Sequence, residues 1–316
     1  MHEVENMFYY KEVPWHGLGK SLDNPPSVEM GILEAGLDWE VERIQLVMEG
    51  TDIQVPAYAN VRSTDRKVLG VVGPTYRPLQ NIDAFQWFQP YLDSGQVTLE
   101  TAGSLRGGRH IWVLARIQQD PVEIVKGDPV VAYILLSNSH NGTASIRAGF
   151  TGIRVVCANT VEAAHSAGSS KLLKIRHTEN ANEALVSVRE SMDVARREFV
   201  ATTESMQQMA RKGVTVDTIK EYVKEVFQPK LSLANDEEAQ AKIDRQVDRL
   251  MPLIESGRGA DVPGVRGTMW GVYNSVTEFL TWERGRSTDT RLESLWLGDA
   301  GNIARRAYDV AVRMAA

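Results

Sequence analysis

Apolar and polar positions alternate with a period of two over much of the first half of the chain. Over the second half they step by threes and fours. Glu40 to Met48 alternates, with Ile44, Leu46 and Met48 on one face, and Ile53 to Val61 alternates again. A turn at Ser63-Thr64-Asp65-Arg66-Lys67 leads into Val68 to Val72, so this region is predicted to be an antiparallel meander. Ser27 is placed to cap a short helix through Ala35. Asn81 is placed to cap a helix through Leu92, with Ile82, Phe85, Phe88 and Leu92 at helical spacing. Val97 to Thr101 and His110 to Ile117 read as strands joined by the tight tip Arg106-Gly107-Gly108-Arg109. Val122 to Val125 reads as another strand. The stretch before Ser27, with Pro14-Trp15-His16-Gly17-Leu18-Gly19 and Asn24-Pro25-Pro26, reads as loop-rich.

An apolar run from Val130 to Leu136 then meets a polar turn, Ser137-Asn138-Ser139-His140-Asn141-Gly142-Thr143. Ala144, Ile146, Ala148 and Phe150 point one way and Ser145, Arg147 and Gly149 the other, which is strand period. Gly152 is expected to mark a bend before a second short strand carrying Arg154. Val161 to His165 reads as a short helix, and Lys171 to His177 as an edge strand.

From Asn180 the period changes. Ala181, Leu185, Val188, Met192, Ala195, Phe199, Thr202, Met206 and Met209 predict one amphipathic helix of about 30 residues, roughly 45 Å long. Helices follow over Val216 to Phe227, Asp236 to Ile254, Met269 to Glu283 and Asn302 to Met314. The expected fold class is α+β: an antiparallel β-rich N-terminal half with an inserted helix, then a helical C-terminal half. The expected domains are 1–178 and 179–316.

The chain of 316 residues carries a net charge of -6, which alone does not indicate a polyanion partner. The distribution changes that picture. From Met1 to Asp52 the only bases are Lys11, Lys20 and Arg43, whereas from Leu136 to His177 five bases face one acid, Glu162. Arg106, Arg109, Arg147, Arg154, Lys171, Lys174, Arg176 and His177 are therefore candidates for a phosphate-binding groove, with Tyr133 or Trp112 available to stack a base. The alternative is a solvated face. Gly257 to Gly267, with Arg258 and Arg266 ahead of a helix, is a weaker anion candidate.

His140, Asn141, Arg154, Cys157 and Asn159 form a candidate pocket. His140 is either an acid/base group or a turn residue, and no Asp or Glu lies in this stretch to orient its ring. Arg154, among Ile153, Val155 and Val156, pairs with a buried acid or reaches a ligand. Cys157, the only cysteine, follows two valines and reads as a core residue, although His140, His165 and His177 keep a nucleophilic role open. Asn159-Thr160 reads as a helix cap. No metal-ligand spacing is present, and no metal or cofactor is expected. The N-terminus does not read as a signal peptide, and no apolar run is long enough to span a membrane. A lone cysteine fits a reducing cytoplasm.

Five blocks carry a family resemblance: Pro14 to Gly19, Tyr76-Arg77-Pro78-Leu79-Gln80-Asn81, Ser139-His140-Asn141-Gly142, Arg154 to Thr160, and Gly267 to Asn274. Together they resemble the phage/plasmid-like family of a domain of unknown function, found in bacteriophages, prophages and plasmids. The resemblance spans nearly the whole chain. That family often has an aspartate where this chain has Asn141, which counts against acid/base work there. The region from Tyr76 through the hairpin is also loosely similar to phage single-strand annealing proteins.

These features lead to an expected non-enzymatic, mobile-element protein in the host cytoplasm. It would bind nucleic acid, single-stranded DNA above all, as a homo-oligomer, in recombination or replication and without a membrane role. The alternatives are an enzyme acting on a phosphorylated or nucleotide substrate through His140, Arg154, Cys157 and Asn159, and a structural or host-takeover protein working through protein contacts.

Overall fold

A computed structural model describes residues 4–11, 18–154, 173–190, 192–227, 236–285, 291, 294–295 and 298–316. The described chain is α+β, with a β-rich N-terminal half of mainly antiparallel strands and most of its helices in the C-terminal half. The first strand, β1 (Val4–Tyr10), lies in a stretch that reads as loop, and β2 (Lys20–Leu22) runs parallel to it. Adjacent Met7 and Phe8 in β1 are both buried, so the two-residue period that would announce a strand is missing. The helix α1 (Val28–Glu34) begins as expected, with Ser27 Oγ accepting from Met30 N at 3.2 Å. Strands β3 (Val41–Val47), β4 (Gln54–Arg62) and β5 (Val68–Val72) form the expected antiparallel meander as a three-stranded sheet.

The helix expected from Asn81 to Leu92 is two helices, α2 (Asn81–Gln86) and α3 (Gln89–Asp93). Asn81 is the first helical residue rather than the cap, because its side chain is committed elsewhere. Strands β6 (Val97–Leu105) and β7 (His110–Ile117) form a hairpin across the 106–109 turn. The strands β8 (Val122–Glu123), β9 (Pro129–Ser139), β10 (Ile146–Arg154) and β11 (Leu173–Ile175) follow. The larger sheet is ordered β11-β10-β9-β7-β6-β1-β2, with β8 paired to β9 and β11 at the edge.

Two expectations for this region are corrected. Strand β9 continues through Ser137, Asn138 and Ser139, since β7 supplies ladder partners for all three. Strand β10 passes through Gly152 without a bend. A Cβ there would lie 3.1 Å from Val130 Cγ1 and 3.4 Å from the Phe199 ring, so the glycine makes room for packing.

The helices α4 (Ala181–Glu190) and α5 (Met192–Arg211) occupy the run expected as one helix, with residue 191 outside the described residues. Then come α6 (Val216–Phe227), α7 (Asp236–Ser256), α8 (Met269–Glu278), a π-helical turn (Phe279–Glu283) and α9 (Asp299–Ala315).

The chain divides into two compact units. The first draws on 1–119, 133–150 and 172–195, and the second on 120–132, 151–171 and 196–316. The core of the first is built on Phe8, Phe85, Leu99, Ile111, Val113 and Leu136. Trp87 Nε1 donates to Leu185 O at 2.7 Å and ties α4 into it. In the second unit α9 packs on α8 and α6, and Tyr222 donates to Ala307 O at 2.9 Å.

Candidate functional site

The 76–81 and 138–142 segments meet inside the first unit. His140 is 0% exposed, and both ring nitrogens are engaged. Nε2 donates to Asn81 Oδ1 at 2.9 Å, because an amide oxygen only accepts. Nδ1 faces Asn138 Nδ2 at 3.4 Å and accepts from it. Asn81 Nδ2 donates to Leu37 O and Trp39 O at 3.1 and 3.0 Å. Asn138 Oδ1 accepts from Ser139 N at 2.8 Å and from His177 Nε2 at 2.6 Å, while its Nδ2 donates to Leu79 O at 3.2 Å. Tyr76 donates to Ser139 O at 2.5 Å and stacks on His177 with centroids 4.5 Å apart. Gln80 brackets Val41, accepting from its N–H and donating to its carbonyl.

This network is a scaffold. A fully buried imidazole with both nitrogens committed offers neither proton nor lone pair to a substrate. Burial, followed by the charges that His177 and His110 would carry, lowers His140 to about 3, and burial lowers His177 to about 4. Both rings are therefore neutral near pH 7. Asn141 Oδ1 is saturated by Ser139 Oγ, Thr143 N and Thr143 Oγ1, and its Nδ2 faces His110 Nε2 at 3.4 Å. Asn60 Nδ2 donates to His140 O at 2.7 Å. Opposite Asn60, Gly70 lets the turn approach: a Cβ there would lie 2.5 Å from Asn141 Cα.

The described basic candidates lie on the β6–β7 turn, on β10 and on or next to β11. Burial and then the positive charges of Arg106, Arg109 and Arg147 depress His110 to about 4. Arg106 and Arg109 sit on the β6–β7 turn. Arg147 on β10 stands opposite Lys174 on β11 in the antiparallel register. Lys174 and Arg176 are exposed, whereas Ile175 and His177 are buried, so His177 faces away from the cations it was grouped with. Among the described residues no ion pair takes Arg109, Lys174 or Arg176. Arg62 differs: it is 7% exposed and held by Glu5 and Asp65 at 2.7–3.1 Å.

Other candidates separate. Lys171, Cys157 and Asn159 lie outside the described residues, as does the Arg154 side chain at the end of β10. Trp112 and Tyr133 are each 2% exposed and have no open ring face for a base. In the glycine-rich loop, Arg258 N donates to Glu278 Oε2 at 2.9 Å, so a carboxylate of the chain itself occupies one amide of that anion candidate. Sequence reasoning missed Asn81 and Asn138 as the hinges of the scaffold, and it missed Lys67. The Lys67 ammonium lies over the 106–109 turn, 1.8 Å from where a Cβ on Gly107 would sit. Only the adjacency of Lys67 to a polar turn hinted at it.

Among the described residues no cluster of His, Cys, Asp and Glu is able to hold a metal, and no helix is long and apolar enough to cross a membrane. No curated protein and no solved structure matches the chain. One family does match, described as Domain of unknown function (DUF932), over residues 68–296, a span that includes Asn81, Asn138, His140 and the 106–109 turn. The chain belongs to the DUF932 family.

Proposed function

We propose that the protein binds single-stranded nucleic acid through Arg106, Arg109, Arg147, Lys174 and Arg176, without catalysing a reaction. The observation that carries this reading is the placement of these bases: Arg106 and Arg109 on one tight turn, and Arg147 directly opposite Lys174 in the β10–β11 ladder, with no ion pair to Arg109, Lys174 or Arg176 among the described residues. In a chain of net charge -6 such a concentration is unfavourable unless a polyanion meets it. The buried state of Trp112 and Tyr133 favours contact with the phosphate backbone, which leaves the bases outward and free to pair. The protein then serves recombination or replication of a phage, prophage or plasmid in the host cytoplasm, as a homo-oligomer.

Filter binding of a labelled single strand over a range of salt tests this. The logarithm of the binding constant should fall against the logarithm of salt by about 0.7 per phosphate contacted. No retained DNA at low salt ends the proposal. Light scattering with and without the oligonucleotide reads the assembly state in the same samples.

A further inference from the structure

The turn between β6 and β7 has the makings of a discrete phosphate seat. Arg106, Gly107 and Gly108 all have positive φ, at 54°, 64° and 86°. Successive backbone N–H groups in a turn form concavities that suit an anion. Among the described residues, the N–H groups of Gly107 and Gly108 donate to no acceptor, although Gly108 is buried. Buried amides are normally partnered, so an orphan here calls for an occupant.

The second observation is independent of the backbone. Lys67 is half-buried, its backbone N–H donates to Asp65 Oδ1, and its ammonium lies over Gly107 with no hydrogen bond or ion pair to any described residue. The nearby acids are engaged: Glu5 and Asp65 both hold Arg62, whose Nη1 would lie 3.4 Å from a Cβ on Gly108. Arg106 and Arg109 flank the turn. Amides without an acceptor and an ammonium without an acceptor thus meet at one turn.

The geometry points to a binding site for one phosphate group, formed by the Gly107 and Gly108 amides with Lys67, Arg106 and Arg109. Its ligand is a phosphodiester of the bound strand, so it rests on the nucleic-acid reading and gives that surface a fixed register. A free phosphate has the same chemistry and is separated by experiment.

The test uses the full chain with 15N-labelled glycine, as wild type, Lys67→Met, and Lys20→Met as a distant control. Each is titrated with single-stranded DNA and, separately, with inorganic phosphate. DNA should shift the Gly107 and Gly108 amide resonances in wild type and Lys20→Met, but not in Lys67→Met. The Lys67→Met variant should bind DNA about fivefold more weakly, with a salt slope smaller by about 0.7. If DNA binds while both amides stay unmoved, the seat is wrong and the nucleic-acid reading survives. If DNA does not bind but millimolar phosphate moves the same amides, the seat stands as a free-phosphate site and the nucleic-acid reading fails. If neither ligand moves them, the seat is overturned.

Discussion

Arg147 and Lys174 stand directly opposite each other in the antiparallel ladder of β10 and β11. Like charges facing across strands destabilise a sheet, by about 0.2–1 kcal/mol. Keeping both is a cost to folding that binding a polyanion would offset. Lys174→Glu should therefore stabilise the protein by about 0.5 kcal/mol in urea denaturation and weaken its hold on single-stranded DNA. A variant that loses stability, or binds DNA as before, contradicts this trade.

Asn81 serves two carbonyls and one imidazole with a single amide. Asn81→Leu keeps much of the volume but leaves Leu37 O, Trp39 O and His140 Nε2 without partners in the interior. At about 1–3 kcal/mol per stranded group, with partial relaxation, the loss should be about 3 kcal/mol. Chemical denaturation measures it. A loss under about 1 kcal/mol would mean that the network is not the scaffold described above.

The histidines set a pH dependence with a definite sign. His140, His110 and His177 are held at about 3, 4 and 4 in the folded chain, below the 6.5 expected when unfolded. Above pH 6.5 they are neutral in both states, and their contribution is complete. Below it the unfolded chain binds protons that the folded chain refuses, so stability falls as pH drops from about 6.5 towards 4. Asp65, lowered to about 2 chiefly by its bond to Arg62, is lost only below about 3.8 and does not confuse this window. Urea midpoints measured from pH 7.5 to 4.5 should decline steadily, and a flat profile would refute the assignment.

Elements that announce themselves by period were legible in the sequence. The meander over 41–72 shows its alternating faces, and α6, α7 and α8 show helical spacing, because each buries one face locally. Strand β1 was not legible, since Met7 and Phe8 are both covered. Asn81 was misplaced because a cap is the best local use of an asparagine before an apolar run, and its actual partners are carbonyls about 40 residues upstream and a histidine 59 downstream. The basic set was drawn from composition alone, and strand alternation sorts its residues. It puts Lys174 outward and turns His177 in, and no charge count shows that. Lys67 joins the turn only through tertiary contact between the two sheets of the first unit.

The most direct measurement of the central claim is fluorescence anisotropy of a labelled single strand against wild type and the double variant Arg109→Glu, Arg176→Glu, both at about 0.1 M salt. Circular dichroism establishes that each is folded. The cationic face predicts about a 25-fold or greater loss of affinity, at about fivefold per phosphate contact removed. Equal affinity in two equally folded proteins would show that these cations do not meet the strand.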